Sequence, residues 1–112
     1  MLPKPSRLNL KKDFKWVAAG QKLNCKFMRI FIRAGDNQTA KVGIATSSKT
    51  FRKSSERNRA RRLASFAFEQ LYSRLPSAIN IVALPKSSIL SVKSQDVLLD
   101  VEDSLKNAKI IN

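Results

Sequence analysis

Between Lys49 and Arg62 the chain carries seven cations, Lys49, Arg52, Lys53, Arg57, Arg59, Arg61 and Arg62, against one acid, Glu56. The chemistry open to such a run is phosphate binding. The guanidinium fork grips two phosphate oxygens at once, and arginine recurs here where lysine would solubilise as well. A merely solvated helix face would alternate its signs. Here Arg57 and Arg61 form a like-charge i,i+4 pair, which costs an isolated helix a few tenths of a kcal/mol. A second pattern lies upstream, at period two. Phe27, Arg29, Phe31 and Arg33 share one side of a strand, and Met28, Ile30 and Ile32 share the other. Rings that stack on unpaired bases, interleaved with guanidinium groups for phosphates, suit single-stranded RNA. A helix covering the two phenylalanines, with the arginines at its edge, would give the same pattern. The residues alone leave these two readings even.

The rest of the composition works by exclusion. The 112 residues hold 22 Lys and Arg against 8 Asp and Glu, a net charge of +14. All of the excess precedes residue 76: residues 1–75 hold 18 basic and 4 acidic side chains, and residues 76–112 hold 4 of each. One region is therefore read as a polyanion-binding surface and the rest as scaffold. There is no histidine, which excludes imidazole acid–base chemistry and histidine metal ligation. Cys25 is the single cysteine, so an internal disulfide and a zinc knuckle are excluded, and it reads as a small buried residue. With 43% hydrophobic residues the chain can build one core, and residues 1–112 are read as a single RNA-binding domain. No apolar run is long enough for a membrane span, and Met1 to Asp13 is too polar for a secretory signal. No membrane partner and a cytoplasmic location are expected.

These surfaces need elements to position them. An extended arm with Pro3 and Pro5 leads to a helix from about Leu10 to Ala19, with Asn9 as cap, Gly20 as stop, and Leu10, Phe14 and Val17 on one face. A strand region runs from Leu23 to Arg33. After a turn at Gly35-Asp36-Asn37, a second strand runs from about Ala40 to Ser47. Its Gly43, Ala45 and Ser47 side is small enough for a ligand backbone or for a closely packed helix. A second helix is predicted from Ser55 to Leu75, capped by Ser54 or Ser55, with Ala60, Leu63, Ala64, Ala67 and Leu71 buried. Arg57, Asn58, Arg61, Arg62, Ser65 and Glu69 fall within an arc of about 140° on its other side. A strand from Ala78 to Leu84 and a helix from about Gln95 to Ala108, capped by Ser94, complete the chain.

The run Arg57-Asn58-Arg59-Ala60-Arg61-Arg62-Leu63 resembles the "RNR" helix of the ribonuclease P protein family. As in that family, it follows a strand and a Ser- and Lys-rich stretch, here Val42-Gly43-Ile44 through Ser47-Ser48-Lys49. The opening Arg7-Leu8 to Asp13-Phe14 is similar to the family's first helix, and Ile79 to Pro85 to its last strand. The resemblance implies an α+β fold, a two-layer domain of four strands and three helices in the order α-β-β-β-α-β-α, with a left-handed crossover. The region from Leu23 to Arg33 would then hold two of the strands. It also implies two binding surfaces. Lys49, Arg52, Lys53, Arg57, Asn58, Arg59, Arg61 and Arg62 would face a catalytic RNA. Phe14, Arg29 and Phe31 would line a cleft for the single-stranded 5′ leader of precursor tRNA, and Phe27 and Arg33 are added to it from the aromatic–Arg strand face read above. The partners implied are those two RNAs, in a 1:1 complex with the catalytic RNA. The protein subunit would have no catalytic residues and no metal of its own, and Mg²⁺ would act through the RNA. The chain departs from the family pattern at Phe51-Arg52-Lys53-Ser54, where small residues are usual, and at Ala18, Ser65 and Leu84.

Two other functions fit the composition. A structural RNA-binding protein of ribosomal type is separated from the first reading only by the motif order. A metal-dependent nuclease acting alone would need clustered carboxylates. The closest grouping, Asp96, Asp100, Glu102 and Asp103, falls on the helix read as scaffold.

Overall fold

The computed structural model describes residues 2–112. A short 3-10 turn at Lys4–Ser6 leads into α1 (Leu10–Ala18), β1 (Gln21–Asn24), β2 (Met28–Ala34), β3 (Lys41–Ile44), α2 (Ser54–Leu71), β4 (Ile79–Pro85) and α3 (Ser94–Asn107). This is the expected α-β-β-β-α-β-α order. The strand region from Leu23 to Arg33 does divide in two, at a tight turn closed by Cys25 N–H donating to Met28 O over 3.0 Å.

The sheet order is β1-β2-β4-β3. β1 and β2 form an antiparallel hairpin, β2 and β4 are antiparallel, and β3 lies parallel to β4 through the α2 crossover. Alternation decides what each face receives. Met28, Ile30 and Ile32 of β2, with Ile79, Ile81 and Ala83 of β4, meet Ala60, Leu63, Ala64, Ala67 and Phe68 of α2 and Val97, Val101 and Leu105 of α3. That is the two-layer core anticipated from the sequence. The opposite face is not bare, however: Val82 packs with Leu8 and Val17, so α1 forms a partial third layer.

Local chemistry sets the boundaries. Asn9 caps α1, its side-chain oxygen accepting from Lys12 N–H. The predicted serine caps are corrected. α2 begins at Ser54 itself, where Glu56 reaches back to accept from Lys53 N–H at 3.3 Å. α3 begins at Ser94, with Asp96 accepting from Lys93 N–H at 3.1 Å. In both cases an acid at the third helical position satisfies an orphan donor and complements the positive end of the helix. α2 also stops short of the predicted Leu75. Its last turn tightens to 3-10 at Tyr72–Arg74, and Leu75 is extended, as the residue before Pro76 must tend to be. β3 ends early because its partner β4 runs into Pro85, which has no N–H to give.

Two residues flagged in the sequence find their roles in the core. Cys25 is buried, and burial pushes its thiol pKa up, which suits an inert packing residue. Phe51, at a departure from the family pattern, is completely buried and anchors the loop before α2. The outer edge of β3 is covered by the arm: Leu8 N–H donates to Val42 O at 3.1 Å, and Arg7 pairs with Val42 in a parallel bridge.

Gly43 is where α1 meets the sheet. A Cβ there would come within 2.7 Å of Leu10 Cδ2 and 3.2 Å of Leu8 Cβ. Gly43→Val should cost about 1–3 kcal/mol through overpacking. Urea unfolding should show a lower midpoint at unchanged slope, and an unchanged midpoint would mean that α1 does not depend on this contact.

Candidate nucleic-acid interface

The basic cluster is built in two tiers. Arg57 Nη1 donates to Phe51 O at 2.8 Å and to Arg52 O at 3.2 Å. Arg61 Nη1 donates to Thr46 Oγ1 at 2.9 Å, and its Nη2 donates to Asn58 Oδ1. These guanidinium groups strap the loop after β3 to the first turns of α2. The loop holds itself as well, with Phe51 N–H on Ser47 O and Lys49 N–H on Ser47 Oγ. Lys49, Arg52, Lys53, Arg59 and Arg62 are left exposed, forming the outer tier. An arginine has five donors, so Arg57 and Arg61 retain some for a ligand after making these bonds. Ser65, predicted on the solvent side of α2, is instead buried. It shares a small apolar depression with Leu2, Leu8, Leu10 and Val42, because the arm runs beside α2 there.

The second surface lies on the other side of the sheet. Phe14 of α1 and Phe31 of β2 are half-buried together, against the cluster of Leu8, Val17 and Val82 and beside Leu10 and Leu84. Both readings of the aromatic–Arg strand are therefore partly realised. α1 covers part of Phe31, while Arg29 stays exposed at a depression of about 230 Å³ with Ala45, Ser47, Thr50, Leu84 and Lys86. The small-residue side of β3 is divided likewise: Gly43 admits α1, whereas Ala45 and Ser47 line open space.

Two expected members are elsewhere. Phe27 is not on this face: it sits in the turn before β2 and packs against the main core, its N–H donating to Asp100. A residue outside the pleat does not follow the strand alternation, so the period-two argument does not reach it. Arg33 is on β2, but its guanidinium carbon lies 4.6 Å from the Trp16 ring centroid and its Nη1 donates to Trp16 O. It is thus separated from Arg29 and Phe31. Two further cations join the surface. Lys22 stands directly opposite Phe31 in the hairpin register and so shares its face. Lys86 is fixed by bonds from its Nζ to Asn24 Oδ1 and Cys25 O. The inward Leu23 beside Lys22 was the signal available in the sequence; Lys86 offered none.

Three of the four carboxylates of α3 serve the scaffold. Asp96 caps the helix, and Asp100 accepts from Lys26 and Phe27 N–H at 3.1 and 3.0 Å. Glu102 receives Arg74 at 2.7 Å, a bond that holds its carboxyl below the usual range. Among the described residues no helix is long and apolar enough to cross a membrane. The arrangement can bind and orient a polyanion along two surfaces joined by the loop from Ala45 to Lys53.

Comparison with known proteins gives a consistent result. The ribonuclease P family model matches residues 2–109. A ribonuclease P protein component from Pseudanabaena sp. is 29% identical, covering 100% of this chain and 98% of its own. Among solved structures, the ribonuclease P protein of Staphylococcus aureus superposes with a TM-score of 0.81 at 19% identity, covering 96% of this chain and 98% of its own. That of Thermotoga maritima gives 0.79 at 23% identity, covering 90% and 96%. At those identities the structures speak for the fold.

The two tiers of the basic cluster should separate under mutation. Arg61→Ala, which unstraps Thr46 and Asn58, should cost about 1 kcal/mol of stability. Arg62→Ala should stay within about 0.5 kcal/mol. Equal thermal unfolding of the two variants would remove the distinction.

Proposed function

The chain belongs to the ribonuclease P protein family, and on that premise we propose that it binds the catalytic RNA through the α2 face and the 5′ leader of precursor tRNA through the α1–sheet cleft. The carrying observation is the pair of basic surfaces on opposite sides of one sheet. On the α2 side, Lys49, Arg52, Lys53, Arg59 and Arg62 meet phosphates of the folded RNA. Arg57, Asn58 and Arg61 hold that surface in shape and add their remaining donors. In the cleft, Phe14 and Phe31 offer ring surface to unpaired bases, while Arg29, Lys22 and Lys86 follow the backbone. Phe27 and Arg33 have no place in this assignment.

In this reading the protein supplies binding and orientation only. The chemistry belongs to the RNA: hydrolysis of the phosphodiester at the mature tRNA 5′ end, with Mg²⁺ held by RNA groups. The protein's cations reduce the repulsion between catalytic RNA and leader, so less Mg²⁺ is needed to bring them together. The whole chain acts as one RNA-binding unit, one copy per RNA, in the cytoplasm. Support for that stoichiometry comes from the single α2 face available for the RNA.

The direct test is precursor-tRNA cleavage at low Mg²⁺ by protein alone, cognate RNA alone, and the mixture. Cleavage only or much faster in the mixture is expected. No enhancement would favour a purely structural RNA-binding role, and cleavage by the protein alone would overturn the reading. Binding itself should be strongly salt-dependent. With about five phosphates contacted, the slope of log affinity on log salt should be near −3.5, and a slope near zero would remove the electrostatic account. The surfaces should also be separable. Replacing Arg52, Arg59 and Arg62 by Ala should weaken catalytic-RNA binding more than binding of a detached leader, and Phe31→Ala should do the reverse. Equal losses in all four measurements would refute the two-surface arrangement.

A further inference from the structure

Trp16 lies two residues beyond Phe14 on α1, about 200° around the helix, so it faces away from the cleft. It is 40% exposed, an unusual position for an indole with no partner to meet. One ring face is occupied by Arg33, and the indole edge lies against Gly35, where a Cβ would come within 3.2 Å of Cη2. Trp16 also lines an open depression of about 470 Å³, to which Arg33 does not contribute.

The polar groups around this depression are specific. Asn80 of β4 is only 5% exposed. Its amide nitrogen donates to Arg33 O at 3.2 Å and to Asn37 Oδ1 at 2.9 Å, which uses both of its hydrogens. Its Oδ1 makes no hydrogen bond among the described residues, although the residue lines the depression. Asn37 is fully committed, its nitrogen tying Thr39 O and Ile79 O, so it fixes Asn80 rather than competing with a ligand. Asp13 and Asp36 add carboxylate oxygens, and Lys12 and Lys41 stand at the same rim. The site thus offers a flat aromatic wall, several acceptors and two flanking cations.

We propose that this depression takes one unpaired nucleobase of the bound RNA, guanine in preference to uracil, stacked on the Trp16 face opposite Arg33. The proposal rests on the RNA-binding reading above and adds a base-selective site outside the α1–sheet cleft. Guanine presents its N1–H and its amino group side by side, which matches a carboxylate or a carboxylate–amide pair. Uracil presents one N–H between two carbonyl oxygens, which the acidic rim repels. Lys12 and Lys41 meet the phosphates on either side of the base. Arg33, lying over the other ring face, completes a stack of guanidinium, indole and base.

The chain has one tryptophan, so its emission reports on this site directly. The experiment titrates the full chain with a uridine pentanucleotide and with the same oligomer carrying a central guanosine. Guanosine should quench the emission and tighten binding about tenfold, within the range of one stacked base. With a labelled oligomer, Trp16→Leu should abolish that preference while leaving all-uridine binding within about twofold. The exposed Asp36→Asn should lower the preference about threefold without touching the core. Phe31→Ala should keep the guanosine quench, because its ring lies in the other site. Equal binding of the two oligomers, or a preference that survives Trp16→Leu, overturns the proposal. The outcome separates cleanly from the holoenzyme assay. Normal cleavage without guanosine preference fails this site alone, and guanosine preference without cleavage enhancement fails the holoenzyme reading alone.

Discussion

Strand β4 is buried along nearly its whole length, and the layers on either side of the sheet answer to that burial. Ile79, Ile81 and Ala83 face α2 and α3, while Val82 and Leu84 face α1, and β2 and β3 flank it. A strand with two apolar faces needs cover on each. The cover on one side brings the basic N-terminal end of α2 into position, and the cover on the other brings Phe14 over Phe31. The two basic surfaces on opposite faces are thus a result of how one strand is buried.

The second constraint is charge. A net charge of +14 on 112 residues destabilises any compact state through self-repulsion. The fold manages this by giving its most crowded cations internal work. Arg57 and Arg61, the like-charge pair on α2, hold carbonyl and hydroxyl oxygens of the preceding loop and the side-chain oxygen of Asn58 on α2 itself. Arg33 rests on an indole. Arg74 pairs with Glu102 and also donates to Asn112 O. An exposed pair of this kind adds little stability, but it links the end of α2 to α3. In the same stretch as Arg57 and Arg61, the cations Lys49, Arg52, Lys53, Arg59 and Arg62 have no such duties and face outward.

Much of this was legible in the residues, and the failures have physical reasons. Period-two alternation placed Met28, Ile30 and Ile32 in the core because β2 is regular and buried on that side. The buried stripe of α2 was legible from its 3.6 period, but Ser65 was not. It is polar and lies on the solvent arc, and only the distant arm, arriving beside it, buries it. Phe27 was misplaced because the turn at Cys25-Lys26-Phe27 breaks the pleat before β2 starts. The start of α1 at Leu10 agrees with its Asn9 cap, whereas α2 and α3 each begin one residue before the expected start, since a serine shortly before an acid invites a cap assignment. Here the acids at Glu56 and Asp96 satisfy the backbone instead. Trp16 gave no periodic signal at all, because its environment comes from Arg33, Gly35 and Asn80, which are remote in sequence.

The burial of β4 also dictates an order of events. β4 pairs with β2, about fifty residues earlier, and with β3, about forty earlier, so neither contact exists until Ile79–Pro85 has been made. Before that moment only the β1–β2 hairpin and isolated helical turns can form, and contacts of long sequence separation are slow to close. During synthesis the whole cationic part of the chain therefore leaves the ribosome unfolded, with strand edges open and apolar side chains uncovered. A polyanion met at that stage would shield the repulsion among these cations before a core exists.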